Sequence, residues 1–336
     1  AEYLRGFGYT VAVMREPEAI ERVAFELGED AVAEGVRYLE ARFAPQLHVA
    51  RGIEALETLA AAARGLERAA RAHNRSRPVR QGADLPFAFG MICCAMRNFS
   101  PAMSSYYAAL AGVLPETPHR DLAALASLEA ARLAVRARDT LGLPVVGFDL
   151  AGEEAGYRAA HHAAAYQEAH RHFLRKTVHA GEAYGPESIH EALTLCHADR
   201  IGHGTWLFAA DRIADRRIAD REAFVEALVE HIGFAHVTIE VCPTSNIQTI
   251  PEFPSLKVHP LRRMMKHSLS VAICTDNRLV SRTTLTDELW HVTRELRLDR
   301  PALHRLALAG FKGAFFPGRY AEKRAFVACA AARIEE

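Results

Sequence analysis

The sequence lacks a surplus of charge of either sign. Its 336 residues carry 41 Lys and Arg against 41 Asp and Glu. A nucleic-acid or anionic-membrane partner needs a basic face, so the balance argues against both. No run of about 18 uncharged apolar residues occurs, which argues against a membrane-spanning helix. Ala1-Glu2-Tyr3 opens without the basic and apolar regions of a secretory leader. Cysteine is scarce: six residues, with Cys93 and Cys94 adjacent and no Cys-x-x-Cys. That is too few for a disulfide framework, and reduced thiols in a cytoplasmic protein are the expectation. Neither G-x-G-x-x-G nor G-x-x-x-x-G-K-[ST] is present, so the nucleotide-phosphate folds have no support. Linkers rich in Gly, Ser or Pro are missing too, and residues 1–336 are expected to form one domain.

What the sequence does hold is alternation. Seven β-type runs stand at Val36–Phe43, Phe87–Ala95, Val145–Leu150, Lys176–His179, Arg200–His203, Thr238–Cys242 and Ser270–Thr275. Helical stretches lie between them, at Glu16–Glu34, Ile53–His73, Asp121–Leu141, Glu154–Phe173, Pro186–Ala198 and Ala214–His231. Asn74–Pro78 reads as a polar loop. Ala210–Arg221, a short charged echo, reads as an exposed helical insertion. Repeated strand–helix alternation implies βαβ units and a parallel sheet. Seven strands suit a doubly wound sheet, whereas a closed (β/α)8 TIM-type barrel needs eight.

The polar residues decide between the two. Successive runs end in Asp149-Leu150-Ala151-Gly152-Glu153, His179-Ala180-Gly181-Glu182, His203-Gly204, Cys242-Pro243-Thr244-Ser245-Asn246 and Asp276-Asn277. Polar residues at the C-terminal ends of successive parallel strands mark a barrel active site, whereas a doubly wound sheet concentrates its site at one switch point. His179, His203 and Asp276 are donors that suit a borderline metal such as Zn2+. Glu182 follows His179 by three residues, placed to face a substrate. Gly152 and Gly181 allow close backbone approach. One strand-end His is more often structural, and one strand-end Asp more often a helix cap; five such ends in order favour function.

The segments Thr177–Glu182, Arg200–Gly204, Glu240–Asn246, Thr275–Asn277, Asp149–Glu154 and Cys93–Arg97 resemble the adenosine deaminase family of metal-dependent amidohydrolase barrels, over nearly the whole chain. The resemblance implies a (β/α)8 barrel and hydrolytic deamination of adenosine, or a closely related aminopurine nucleoside, at one Zn2+. It implies His179 and Asp276 as zinc ligands, and Asp276 also as the group that takes the water's proton. His203 would orient the attacking hydroxide, and Glu182 would protonate purine N1. Gly152 would donate its N–H to N3 and Asn277 would bond N7. Two departures stand out. Asp276-Asn277-Arg278 replaces the family's usual Asp-Asp-Pro; an amide still donates to N7. The family's His-x-His on the first barrel strand has no counterpart, since His170-Arg171-His172 reads as a solvated helix face together with His161 and His162. The expectation is therefore that the first strand and two further His ligands lie upstream of Ala1. The competing readings are an adenine or other aminopurine deaminase, a different hydrolase on the same barrel, and a catalytically impaired purine binder. The second of these usually carries a carboxylated Lys, and no strand-end Lys is evident.

Overall fold

The computed structural model of the protein describes residues 2–50 and 52–335, with side chains from residue 6 onward. The chain divides into two compact units. The first comprises Ala1–Gly152, His161–Arg175 and Phe315–Arg324, and the second Glu153–Ala160, Lys176–Ala314 and Ala325–Glu336.

The first unit holds β1 (Tyr38–Phe43), β2 (Ala88–Met96) and β3 (Val145–Ala151), in that order and parallel. Tyr38 pairs with Ala88 and Phe43 with Cys93. β2 is almost continuously apolar and buried on both faces, as a strand of a covered parallel sheet must be. Helices Ala55–Asn74 and His119–Asp139 bury faces made largely of alanine. Small residues bring backbones close, and a Cβ on Gly65 would collide with the carbonyl oxygen of Glu21. Gly147 makes room for the Phe315 ring, which a Cβ there would meet at 2.7 Å. The Tyr38 hydroxyl donates to the Phe315 carbonyl at 2.6 Å.

The second unit holds all but the first residue of β4 (Arg175–Ala180), with β5 (Arg200–His203), β6 (Thr238–Val241) and β7 (Val271–Ile273), again parallel and in chain order. Helices Pro186–Thr194, Arg221–Phe234 and Leu261–Lys266 lie between successive strands. Ala180 pairs with His203 and Val241 with Ile273, so these strand ends stay in step. The buried Arg200 pairs with Glu240 at 2.6 Å, and Thr177 donates to the same carboxylate oxygen at 3.0 Å. A charge buried in a strand needs such partners.

Among the described residues there are seven strands, at the positions expected from the sequence. Neither unit reverses its strand order, as a doubly wound sheet would at a switch point. The class is α/β, with the strand order of a TIM-type barrel.

Several expectations fail locally. The helix expected over Glu154–Phe173 is only Ala163–Arg171, preceded by a 3-10 turn at Ala159–His162. Gly156, at φ 84°, and the capture of Glu154 by another loop keep residues 153–158 irregular. The helix expected from Ala214 starts at Arg221, where the Asp220 carboxylate caps it by accepting from the Ala223 N–H at 3.0 Å. Ala210–Arg221 is not an exposed helix. It contains a 3-10 turn at Ala210–Arg212 and then irregular chain, and Ala210 and Ile213 are buried. Asp215 accepts from the Arg217 N–H at 2.9 Å, a local bond that competes with helix formation. Asn74 ends a helix rather than opening a loop, and its amide clips the start of β2 by bonding both backbone groups of Phe87. His170 and His172 are exposed, as expected. His162 is buried against Ser127, at 2.7 Å, and burial pushes its pKa down to about 3. No helix among the described residues is long and apolar enough to cross a membrane.

Candidate active site

The second unit brings His179, Glu182, His203, Asp276 and Asn277 to the C-terminal ends of its strands. His179 sits in β4, opposite Gly202 of β5, where a Cβ would stand 3.2 Å from the His179 Cα. The His179 and His203 rings lie 5.1 Å apart between centroids.

Beyond β4 the chain turns sharply at Gly181, φ 71°, and the turn is held from inside. The buried Glu154 carboxylate accepts four successive backbone N–H groups. Oε1 takes Gly181 at 3.0 Å, and Oε2 takes Glu182 at 2.9 Å, Ala183 at 2.6 Å and Tyr184 at 3.1 Å. Trp206 Nε1 donates to the Glu182 carbonyl at 2.9 Å. The backbone of Glu182 is thus gripped at both its N–H and its C=O. Its side chain, about a quarter exposed (26%), reaches to 3.8 Å from His203 Nε2. Glu154 carried no role in the sequence reading, although it ends the quoted segment Asp149–Glu154.

His203, the last residue of β5, and Asp276, three residues beyond β7, stand in left-handed backbone, at φ 65° and 51°. The other six non-glycine residues of positive φ among those described all follow helix ends, where this conformation is common. At a strand end it costs about 1–3 kcal/mol and persists where surroundings impose it. For Asp276 those surroundings are the Ser245 hydroxyl, which donates to Oδ2 at 2.7 Å, and the Asn277 amide, which donates to Oδ1 at 2.6 Å. Behind them the fully buried Glu288 accepts from the Thr244 N–H at 3.1 Å and the Thr283 hydroxyl at 2.8 Å, and burial raises its pKa.

His203 is buried and bonded through Nδ1 to the Asn246 amide at 3.1 Å. Asn246 bonds His259 at 3.2 Å. Asn246 and His259 carried no role in the sequence reading, although Asn246 stands in one of the quoted motifs.

In the first unit, Gly152 follows β3 at φ 98°, and a Cβ there would meet Met96 Cε at 3.2 Å. The fully buried Asp149 accepts from Arg42 at 3.0 Å. Burial pushes the Cys93 thiol up to about 12, and burial with the Asp149 charge holds Cys94 well above the ordinary thiol range, so neither is a thiolate nucleophile.

The family model described as "Adenosine deaminase" matches residues 1–117 and 113–327. The chain belongs to the adenosine deaminase family. It is 34% identical over 314 residues to the adenosine deaminase of Mycobacterium ulcerans (strain Agy99), covering 93% of this chain and 75% of that protein. Two solved structures share the fold at 21% identity. One is the apo N6-methyl-AMP deaminase from Arabidopsis thaliana, TM-score 0.74, covering 100% of this chain and 84% of that one. The other is an amidohydrolase from Burkholderia ambifaria with bound Zn, TM-score 0.71, covering 96% and 74%.

The donor set can be tested against a zinc ion. A catalytic zinc takes at least three protein ligands. His179 and Asp276 are donors of the right kind, but no group of three His, Cys, Asp or Glu side chains able to hold an ion occurs among the described residues. The fit is therefore one of kind and not of number.

Proposed function

We propose that the protein catalyses the hydrolytic deamination of adenosine, or a closely related aminopurine nucleoside, to inosine and ammonia. The observation that carries the reading is the gripped Glu182, whose carboxyl lies 3.8 Å from His203 Nε2. Attack of water on purine C6 breaks the ring's aromaticity, so N1 must gain a proton as the C–O bond forms. Glu182 delivers that proton, and its fixed backbone sets the direction of delivery. Asp276 takes a proton from the attacking water, and Ser245 and Asn277 hold the carboxylate in place to do so. His203 donates Nε2–H to the oxygen as negative charge develops on it. Collapse of the tetrahedral centre breaks the C6–N bond: Asp276 gives its proton to the leaving nitrogen, the C6 hydroxyl proton passes to Glu182, and ammonia leaves. The Asn277 amide would orient the ring through N7. His179 and Asp276 would supply two of the donors to a Zn2+ ion, which when bound makes water acidic enough to react at neutral pH.

The test is the ultraviolet change from adenosine to inosine, with adenine and N6-methyl-AMP assayed beside it. Glu182→Gln keeps size and polarity and removes the proton. It should retain binding of a purine nucleoside and lose about 10²–10⁴-fold in kcat. Near-normal turnover in that variant removes Glu182 from the mechanism.

A further inference from the structure

His203 Nδ1 is the end of a hydrogen-bond chain whose direction is fixed at its far end by a group that can only donate. The backbone N–H of Leu261 donates to His259 Nδ1 at 3.1 Å. His259 is buried, and that burial lowers its pKa to about 4, so at neutral pH it carries one ring proton. With Nδ1 accepting, the proton is on Nε2. His259 Nε2 lies 3.2 Å from Asn246 Oδ1 and donates to it. The Asn246 amide is thereby oriented with Nδ2 toward His203 Nδ1, at 3.1 Å, and an amide nitrogen only donates. His203 Nδ1 must accept.

We propose that His259 is a positioning residue which, acting through Asn246, holds His203 in the tautomer that carries its proton on Nε2. That nitrogen faces Glu182 Oε1 at 3.8 Å, so the fixed N–H points to the carboxyl side of the site. Each link has few alternatives, because Asn246 is fully buried and His259 nearly so, and no bulk water can replace a partner. The catalytic consequence rests on the proposed function, since the oxyanion needs a donor and the other tautomer offers it a lone pair. The tautomer itself does not rest on that reading.

The experiment is 15N NMR of the histidine rings at pH 8, on the full chain, with the His203 signals identified by their loss in His203→Asn. In the wild type, Nδ1 of His203 should resonate as an unprotonated nitrogen and Nε2 as a protonated one. Asn246→Asp offers both neighbours only acceptors and should move the proton of His203 onto Nδ1. On adenosine it should lose about 10²–10³-fold in kcat with KM nearly unchanged, the effect of removing one oxyanion donor. His259→Gln, whose amide can still donate to Asn246, should keep the wild-type His203 pattern. His259→Leu should give a mixture of tautomers. If Asn246→Asp does not fold, the His259 pair carries the test. A protonated Nδ1 in the wild type overturns the proposal, as does a His203 pattern that neither Asn246→Asp nor His259→Leu moves. Wild-type protein inert on every aminopurine, with the expected tautomer shifts, would sink the proposed function and leave this inference standing.

Discussion

Glu154→Gln isolates the grip on the candidate acid. The change keeps shape and removes charge. In the wild type Oε2 accepts three N–H groups and Oε1 accepts one, the last shared with Ser188 Oγ at 2.9 Å. A glutamine can turn its oxygen to the three and leave its NH2 toward Gly181, which keeps Ser188. Hydrogen bonds to a charged acceptor contribute about 1.5–3 kcal/mol against about 0.5–1.5 for neutral ones, a difference near 1 kcal/mol each. Three bonds crowded on one oxygen are not additive, so the expected loss is about 2–3 kcal/mol. At about 2.1 cal/mol/K per residue, a chain of 336 residues has an unfolding entropy near 0.7 kcal/mol/K, so Tm should drop by about 3–4 °C. The turn that loosens carries Glu182, and a displacement of about 1 Å at a catalytic group costs on the order of 10²-fold in rate. Turnover of adenosine should therefore fall by about 10–100-fold, mostly in kcat. Calorimetry and steady-state kinetics read the two effects separately. Wild-type Tm together with wild-type kcat would refute the clamp outright; a lowered Tm with unchanged kcat would make Glu154 a stability residue only.

The ligand role of His179 is checked by metal content: His179→Ala should lose stoichiometric zinc by atomic emission and turnover with it, and a variant retaining a full equivalent of zinc would end the assignment. Acid stability is set in part by His162. Its folded pKa of about 3, lowered by burial and by Arg97, lies below the unfolded value near 6.5. The unfolded chain therefore takes up the proton first, and stability falls as pH drops from about 6.5 toward 3, by at most about 1.4 kcal/mol per pH unit from this group. His162→Gln should flatten the slope of urea stability between pH 6 and 4.5 by about one proton; an unchanged slope would show that His162 is protonated in the folded state.

The order of strands was legible because β2, β3 and β7 are short, mainly apolar runs with β-branched or aromatic residues, and parallel strands buried on both faces need such runs. The strand-end residues were legible because His and Asp at those places serve no packing purpose. What escaped reading depends on contacts distant in sequence. Glu154 looks like the start of a helix until its carboxylate is seen closing the turn at residues 181–184, 27 to 30 positions on. His259 stands in an irregular loop, and only its bond to Asn246, 13 residues away, ties it to His203. The same blindness put His162 on a solvated face, since its partner Ser127 lies 35 positions earlier. Periodicity reports which face of an element is apolar, but a single polar side chain leaves no period. The groups that hold the candidate site in shape are of that kind. Asp276 and Glu182 can be named from a motif. Their left-handed backbone, gripped carbonyl and oriented hydrogen bonds come from side chains such as Ser245, Glu154 and Trp206, to which the quoted segments gave no role or which lie outside them, and those side chains decide whether the motif residues can act.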